Sequence, residues 1–185
     1  MKNLIRLQDG VAQVAPDDSW ELLREVPEVL PEGNLILPLE TWLSLGTRRS
    51  ELAREPDVGH DHSRASSLLQ GRNAPGVWLA PDADVEVLRE HLSELSLIAI
   101  DFPSFRDGRG YSLAYLLRQR LGWKGELRAV GDVLRDQLAH MRQCGFDSFA
   151  VREDKSVEDA LKGLAGLSVL YGRSAIEPRP LFRRR

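Results

Sequence analysis

From Gly76 onward, short apolar runs alternate with stretches whose apolar residues fall three and four apart. Val77–Ala80 reads as a short buried strand. Pro81-Asp82 opens a helix that sets Val85, Leu88 and Leu92 on one face. Leu97–Asp101 is the next strand. Ser112 is placed to cap a helix with Leu113, Leu116, Leu117 and Leu121 inward, and Gly122 stops it. Glu126–Val130 is again a strand. Asp132 is placed to accept from the open amides of the following helix, which turns Leu134, Leu138 and Met141 inward and ends at Gly145. Asp147–Val151 forms another strand. Ser156-Val-Glu-Asp159 resembles a capping box ahead of Ala160, Leu161 and Leu164, and Leu167–Tyr171 closes the series as a strand.

Such strand–helix alternation predicts a parallel sheet covered by helices, with right-handed crossovers. The first 58 residues are less regular. Leu4–Leu7 and Val11–Val14 flank Gln8-Asp9-Gly10 and predict a β-hairpin. Leu35–Leu37 is a further strand, and Leu39, Trp42 and Leu43 begin a helix. The predicted fold class is α/β: repeated strand–helix units, about five or six mostly parallel strands, and an N-terminal β-hairpin. A closed eightfold barrel takes about 250 residues. At 185 residues, an open sheet or an incomplete barrel is expected instead. The organisation read from the chain is one domain over 1–185. It comprises an irregular part at 1–58, a mobile loop at 59–75, a regular core at 76–172 and a basic tail at 173–185.

Composition narrows the partners. Hydrophobic residues make up 42% and charged ones 29%, an ordinary globular balance. A net charge of −3 gives no overall basic footprint for nucleic acid. The apolar runs are too short to cross a bilayer and no signal-peptide pattern is present, so a cytoplasmic protein without membrane contact is expected. The single cysteine, Cys144, excludes an internal disulfide and a CxxC pair, and its place at a helix C-terminus disfavours a thiolate.

Parallel α/β folds keep ligands beyond the carboxyl ends of their strands. Of the loops there, IDFPSFRDGRGYS, Ile100 to Ser112, is the richest. Arg106 and Arg109 could fork onto a carboxylate, phosphate or sulfur oxyanion. Gly108 and Gly110 would let the backbone turn and present amides beside a helix N-terminus. Asp101 and Asp132 are expected on the same rim, as acid–base groups or as holders of the arginines. The candidate catalytic residues are therefore Asp101 and Asp132. The candidate ligand-binding residues are Arg106, Asp107, Gly108, Arg109, Gly110, Tyr111, Ser112 and Arg128. The same residues also read as a brace: Asp107-Gly108 is an ordinary turn pair, and Asp101 could simply hold Arg109 or Arg128. His60 and His62 offer two imidazoles but no further ligand at motif spacing, so no metal site is expected. There is no GxGxxG, Walker loop, HExxH or GxSxG, and no cofactor is assigned. The closing PLFRRR sets Leu181 and Phe182 before three arginines, a pattern for docking on an acidic partner or for a solvated tail.

The stretch Asp101–Arg152 resembles the core signature of the bacterial domain-of-unknown-function 934 family. The resemblance rests on Asp101, Phe102, Phe105 and Asp107 through Ser112. It continues through Gly125, Glu126, Arg128, Gly131, Asp132, Asp136, Gln137, Cys144, Gly145 and Phe146, and extends to LILPLETWL and PLFRRR. Members are commonly described as probable oxidoreductases involved in sulfite reduction, a label that reflects their being encoded beside assimilatory sulfite reductase. One cysteine cannot hold a four-cysteine iron–sulfur cluster. The resemblance therefore implies an accessory protein acting with or on sulfite reductase, or on another sulfur-assimilation protein. Two alternatives stand beside it. One is a small enzyme or sensor binding an anionic sulfur metabolite at the strand-end loop. The other is a structural module, a homo-oligomer in which a second chain completes the open sheet.

Overall fold

The computed structural model describes residues 1–27, 30–52, 74–165 and 169–184. Apart from Ala74 and Pro75, the loop expected at 59–75, with His60 and His62, lies outside them. The described strands are β1 (Leu4–Gln8), β2 (Val11–Val14), β3 (Trp20–Leu22), β4 (Asn34–Pro38), β5 (Gly76–Leu79), β6 (Leu97–Phe102), β7 (Glu126–Gly131) and β8 (Ser148–Ala150). The described α-helices are α1 (Leu39–Leu52), α2 (Arg109–Gln119), α3 (Leu138–Cys144) and α4 (Val157–Leu161).

All eight strands join one sheet in the order β2-β1-β8-β7-β6-β5-β4-β3. From β3 to β8 neighbours in sequence are neighbours in space, and every pair is parallel. The hairpin β1–β2 then adds to β8 antiparallel. The sheet curls into a half-barrel, one of the two architectures expected. It has more strands than the five or six predicted, because the hairpin is built into it and β3 extends the far edge. β3 was not predicted: at three residues it shows too little alternation to register.

Side-chain alternation gives the sheet two different faces. On the convex face Leu37, Val77, Ile98, Ile100, Ala129 and Phe149 form one continuous core with the helices. Trp42 of α1, Leu113 and Leu117 of α2, Leu138 and Met141 of α3, and Val157 and Ala160 of α4 complete it. Burying each large apolar side chain there contributes about 1.5–3 kcal/mol. The concave face is smaller and mixed: Leu4, Ile36, Leu97, Ala99 and Val130 surround a set of buried charges.

Local departures from the sequence reading have local causes. The helix expected after Pro81 is two short 3-10 turns, Val85–Leu88 and Leu92–Glu94, opened by Asp84 accepting from the Glu86 N–H. Ser112 does not cap α2. The helix opens at Arg109, after Gly108, because a glycine at position 110 lets it start directly on β6. A Cβ at Gly110 would lie 2.7 Å from the Phe102 ring. Asp132 does not cap the next helix either; it accepts from the Phe105 N–H at 2.9 Å and from Arg152. Ser156 does cap α4, accepting from the Asp159 N–H. Of the strand expected at Leu167–Tyr171, the described residues Val169–Tyr171 form none.

Candidate functional site

The concave face is held by an ion-pair network that runs through the half-barrel. Arg128 stands in the middle of β7, between two parallel neighbours, and is 0% exposed. Its guanidinium donates to both oxygens of Asp18 at 2.8 Å and to Glu126 Oε1 at 2.8 Å. Asp18 comes from the loop between β2 and β3 and also accepts from the Met1 ammonium at 2.9 Å and Arg6 at 3.1 Å. Ser148 of β8 donates to Glu126. Burial alone would push the Asp18 carboxyl up, but the hydrogen bonds and charges of Arg128 and the Met1 ammonium outweigh it and hold it below its usual range. Two carboxylates, Asp18 of the β2–β3 loop and Glu126 of β7, thus tie together three cations, Arg128 of β7, Arg6 of β1 and the Met1 ammonium.

The rim at the carboxyl ends of the strands is built differently. Arg24, just past β3, reaches across to Asp101 at the end of β6, Nη2 to Oδ1 2.7 Å. The Asp101 side chain is 9% exposed and that of Arg24 51%. The Arg24 guanidinium lies 5.8 Å from the centre of the Trp78 ring. Trp78 is itself fixed by an Nε1–H bond of 2.9 Å to the Leu23 carbonyl. Arg24 borders two clefts. One, of about 640 Å³, lies against Lys2, Gly131 and Arg152. The other, of about 550 Å³, lies against Trp78, Leu39, Leu43 and Val87. Gly131, at φ +96°, leaves room for Asp101; a Cβ there would sit 2.7 Å from Asp101 Oδ1 and 2.4 Å from the Phe102 carbonyl oxygen.

The residues singled out in the sequence do not gather in one place. Asp101 reaches the rim, but its partner is Arg24 and not Arg109 or Arg128. Asp132 is on the same rim and is occupied by Phe105 N–H and by Arg152, which also forks onto Asp154. Arg109 and Asp107 pair with each other on the surface, Nη2 to Oδ2 2.7 Å, and the Asp107 carboxyl is lowered by that bond. Arg106 is exposed over the Phe105 ring, and Gly108 precedes α2. Ser112 is exposed on α2. Tyr111 packs on Phe102 and His140 and shares Gln137 with the Phe105 carbonyl. Arg128 lies in the interior network. Sequence reasoning missed Asp18 and Arg24. The signal for Asp18 was available: charges at Glu126 and Arg128 inside a strand flanked on both sides demand a buried counter-ion. Nothing in the sequence marks Arg24.

The C-terminal segment has an inverted pattern. Within residues 169–184, Ala175 is anchored on α2 and α3 and the flanking residues are closed on one another. Ala175 N–H donates to the Gln143 carbonyl, its own carbonyl accepts from Gln119, and Ser174 is buried and bonded to Glu177. Leu181 N–H closes the segment on the Tyr171 carbonyl at 3.0 Å. The large apolar side chains face outward: Tyr171 is 73% exposed and Phe182 63%, with Val169, Ile176 and Leu181 also exposed. Arg173, Arg179, Arg183 and Arg184 lie among them against one carboxylate, Glu177.

Among the described residues no cluster of His, Cys, Asp and Glu could hold a metal ion, and no helix is long and apolar enough to cross a membrane. No curated protein and no solved structure matches the chain. A family model does match, over residues 76–182, which takes in the β5–β8 core, the strand-end loop and nearly all of the outward-facing C-terminal segment. On that match the chain belongs to the family described as "Bacterial protein of unknown function (DUF934)".

Proposed function

We propose that this chain is an accessory protein of assimilatory sulfite reduction that works by docking on a partner through residues 169–184. The observation that carries the docking is the ordered segment that anchors its small residues and turns its large ones to solvent. A merely frayed tail would not be bonded to both α2 and α3 at Ala175, nor closed on itself at Ser174–Glu177 and Tyr171–Leu181. Exposed aromatic and aliphatic side chains beside arginines have the composition of an interface core with a basic rim, and they fit an acidic protein face. The scattering of Arg106, Arg109 and Arg128 supports the same reading over a ligand pocket at the strand-end loop, since each already has a partner or lies apart from the others. The family resemblance puts sulfite reductase first among partners.

Capture from a native extract of the source bacterium tests this. Wild-type chain should recover sulfite reductase, and a Tyr171→Glu/Phe182→Glu variant with an unchanged melting curve should not. Absence of any sulfur-assimilation enzyme in the capture, with normal growth of a deletion strain on sulfate, would overturn the proposal.

A further inference from the structure

We propose that the rim cleft between Arg24 and Trp78 binds a small amine-bearing organic acid, of which an apolar α-amino acid is the type. This site is separate from the C-terminal docking segment.

Arg24 lines the cleft. One of its nitrogens is fixed by the nearly buried Asp101 and its plane is near Trp78, so the guanidinium is held in place before any ligand arrives. Its Nε and Nη1 donate to nothing among the described residues, and the side chain remains half-exposed. Nη2 gives one N–H to Asp101, and its second, with the open Nη1 or Nε beside it, makes a fork that suits a carboxylate, which takes two parallel N–H bonds at little entropic cost. The cleft beyond it is about 550 Å³, a volume for a small ligand. Leu39, Leu43 and Val87 give it an apolar wall. Its remaining charges are of the opposite sign to Arg24: Glu40 and Asp82 border it without a hydrogen-bond or ion-pair partner among the described residues, Asp82 feeling Arg109 only through its charge. Asp84, also there, is engaged by the Glu86 N–H. A pure dianion would meet one arginine and several carboxylates, and a pure cation would meet the arginine. A zwitterion matches both: its carboxylate goes to Arg24, its ammonium to Glu40 and Asp82, and its side chain to the apolar wall.

Titration calorimetry with free leucine, its deaminated acid and its decarboxylated amine tests the assignment. Leucine should bind saturably and about tenfold or more tightly than either half-molecule, since each lacks one charge-assisted contact. Arg24→Met should abolish binding of leucine and the acid alike. Asp82→Asn should bring leucine down toward the acid. Arg135→Ala, whose surface pair is with Asp159 outside the cleft, should change nothing. The melting curve of each variant separates lost binding from lost fold. Three results would overturn the proposal: no saturable binding of leucine, methionine or phenylalanine at millimolar concentration; equal binding of leucine and its deaminated acid; or full binding by a folded Arg24→Met. Capture of sulfite reductase by Arg24→Met should match wild type, so failure here leaves the docking reading standing and the reverse also holds.

Discussion

Arg128 sets the energetics of the interior. Its guanidinium is fully buried and held by Asp18 and Glu126. Arg128→Met leaves both carboxylates without their principal partner, and removing one side of a buried pair costs about 3–5 kcal/mol. Urea denaturation should show a loss near that size, while Arg109→Ala, which breaks a surface pair, should leave the midpoint close to that of the wild type. The same network predicts an acid limb. Asp18 has a folded value below its unfolded one, so its stabilisation is complete above about pH 4 and is lost as the pH falls through the folded value. Stability measured from pH 6 downward should therefore drop below about pH 4, and Asp18→Asn should flatten that drop. At this scale the sequence was only partly legible. Asp101 and Asp132 were placed on the rim from strand ends alone. Their partners were not, because Arg24 and Arg152 meet them only once the sheet has curled.

At the scale of elements, two glycines make opposite predictions. Gly131 ends β7 at φ +96° with Phe102 and Asp101 packed against the space a Cβ would take. Gly131→Ala should destabilise by more than about 1 kcal/mol, and it should loosen Asp101 from Arg24. Gly46 lies inside α1 with nothing near that space. Gly46→Ala should stabilise by about 0.5–1 kcal/mol. Thermal melts of the two variants check both signs. The β6 and β7 strands, the hairpin and the Ser156 cap were legible because period, length and turn residues agree at those places. The stretch after Pro81 kept its inward residues, Val85 and Leu88, yet became 3-10 turns. Periodicity at three and four marks the buried face without fixing the winding of so short a segment. α2 started early because a packing demand at Gly110 outweighs the capping preference of Ser112.

The whole molecule is a half-barrel with its helices on the convex face, its charges sealed along the axis, and its strand-end rim open. Chain length and the strand–helix alternation foretold an α/β fold with an open sheet or an incomplete barrel, with fewer strands than the eight found. They did not foretell that the C-terminal residues would be anchored on α2 and α3 at Ala175 instead of adding a strand. That arrangement leaves Tyr171, Ile176, Leu181 and Phe182 on the outside beside arginines. It is the feature that supports the proposed docking, and the affinity of the purified chain for purified sulfite reductase tests that proposal most directly. Binding should be saturable and weaken with salt. Tyr171→Glu or Phe182→Glu should raise the dissociation constant about tenfold or more, while Arg24→Met should leave it unchanged. Absence of binding, or binding indifferent to both aromatic substitutions, would contradict the proposal.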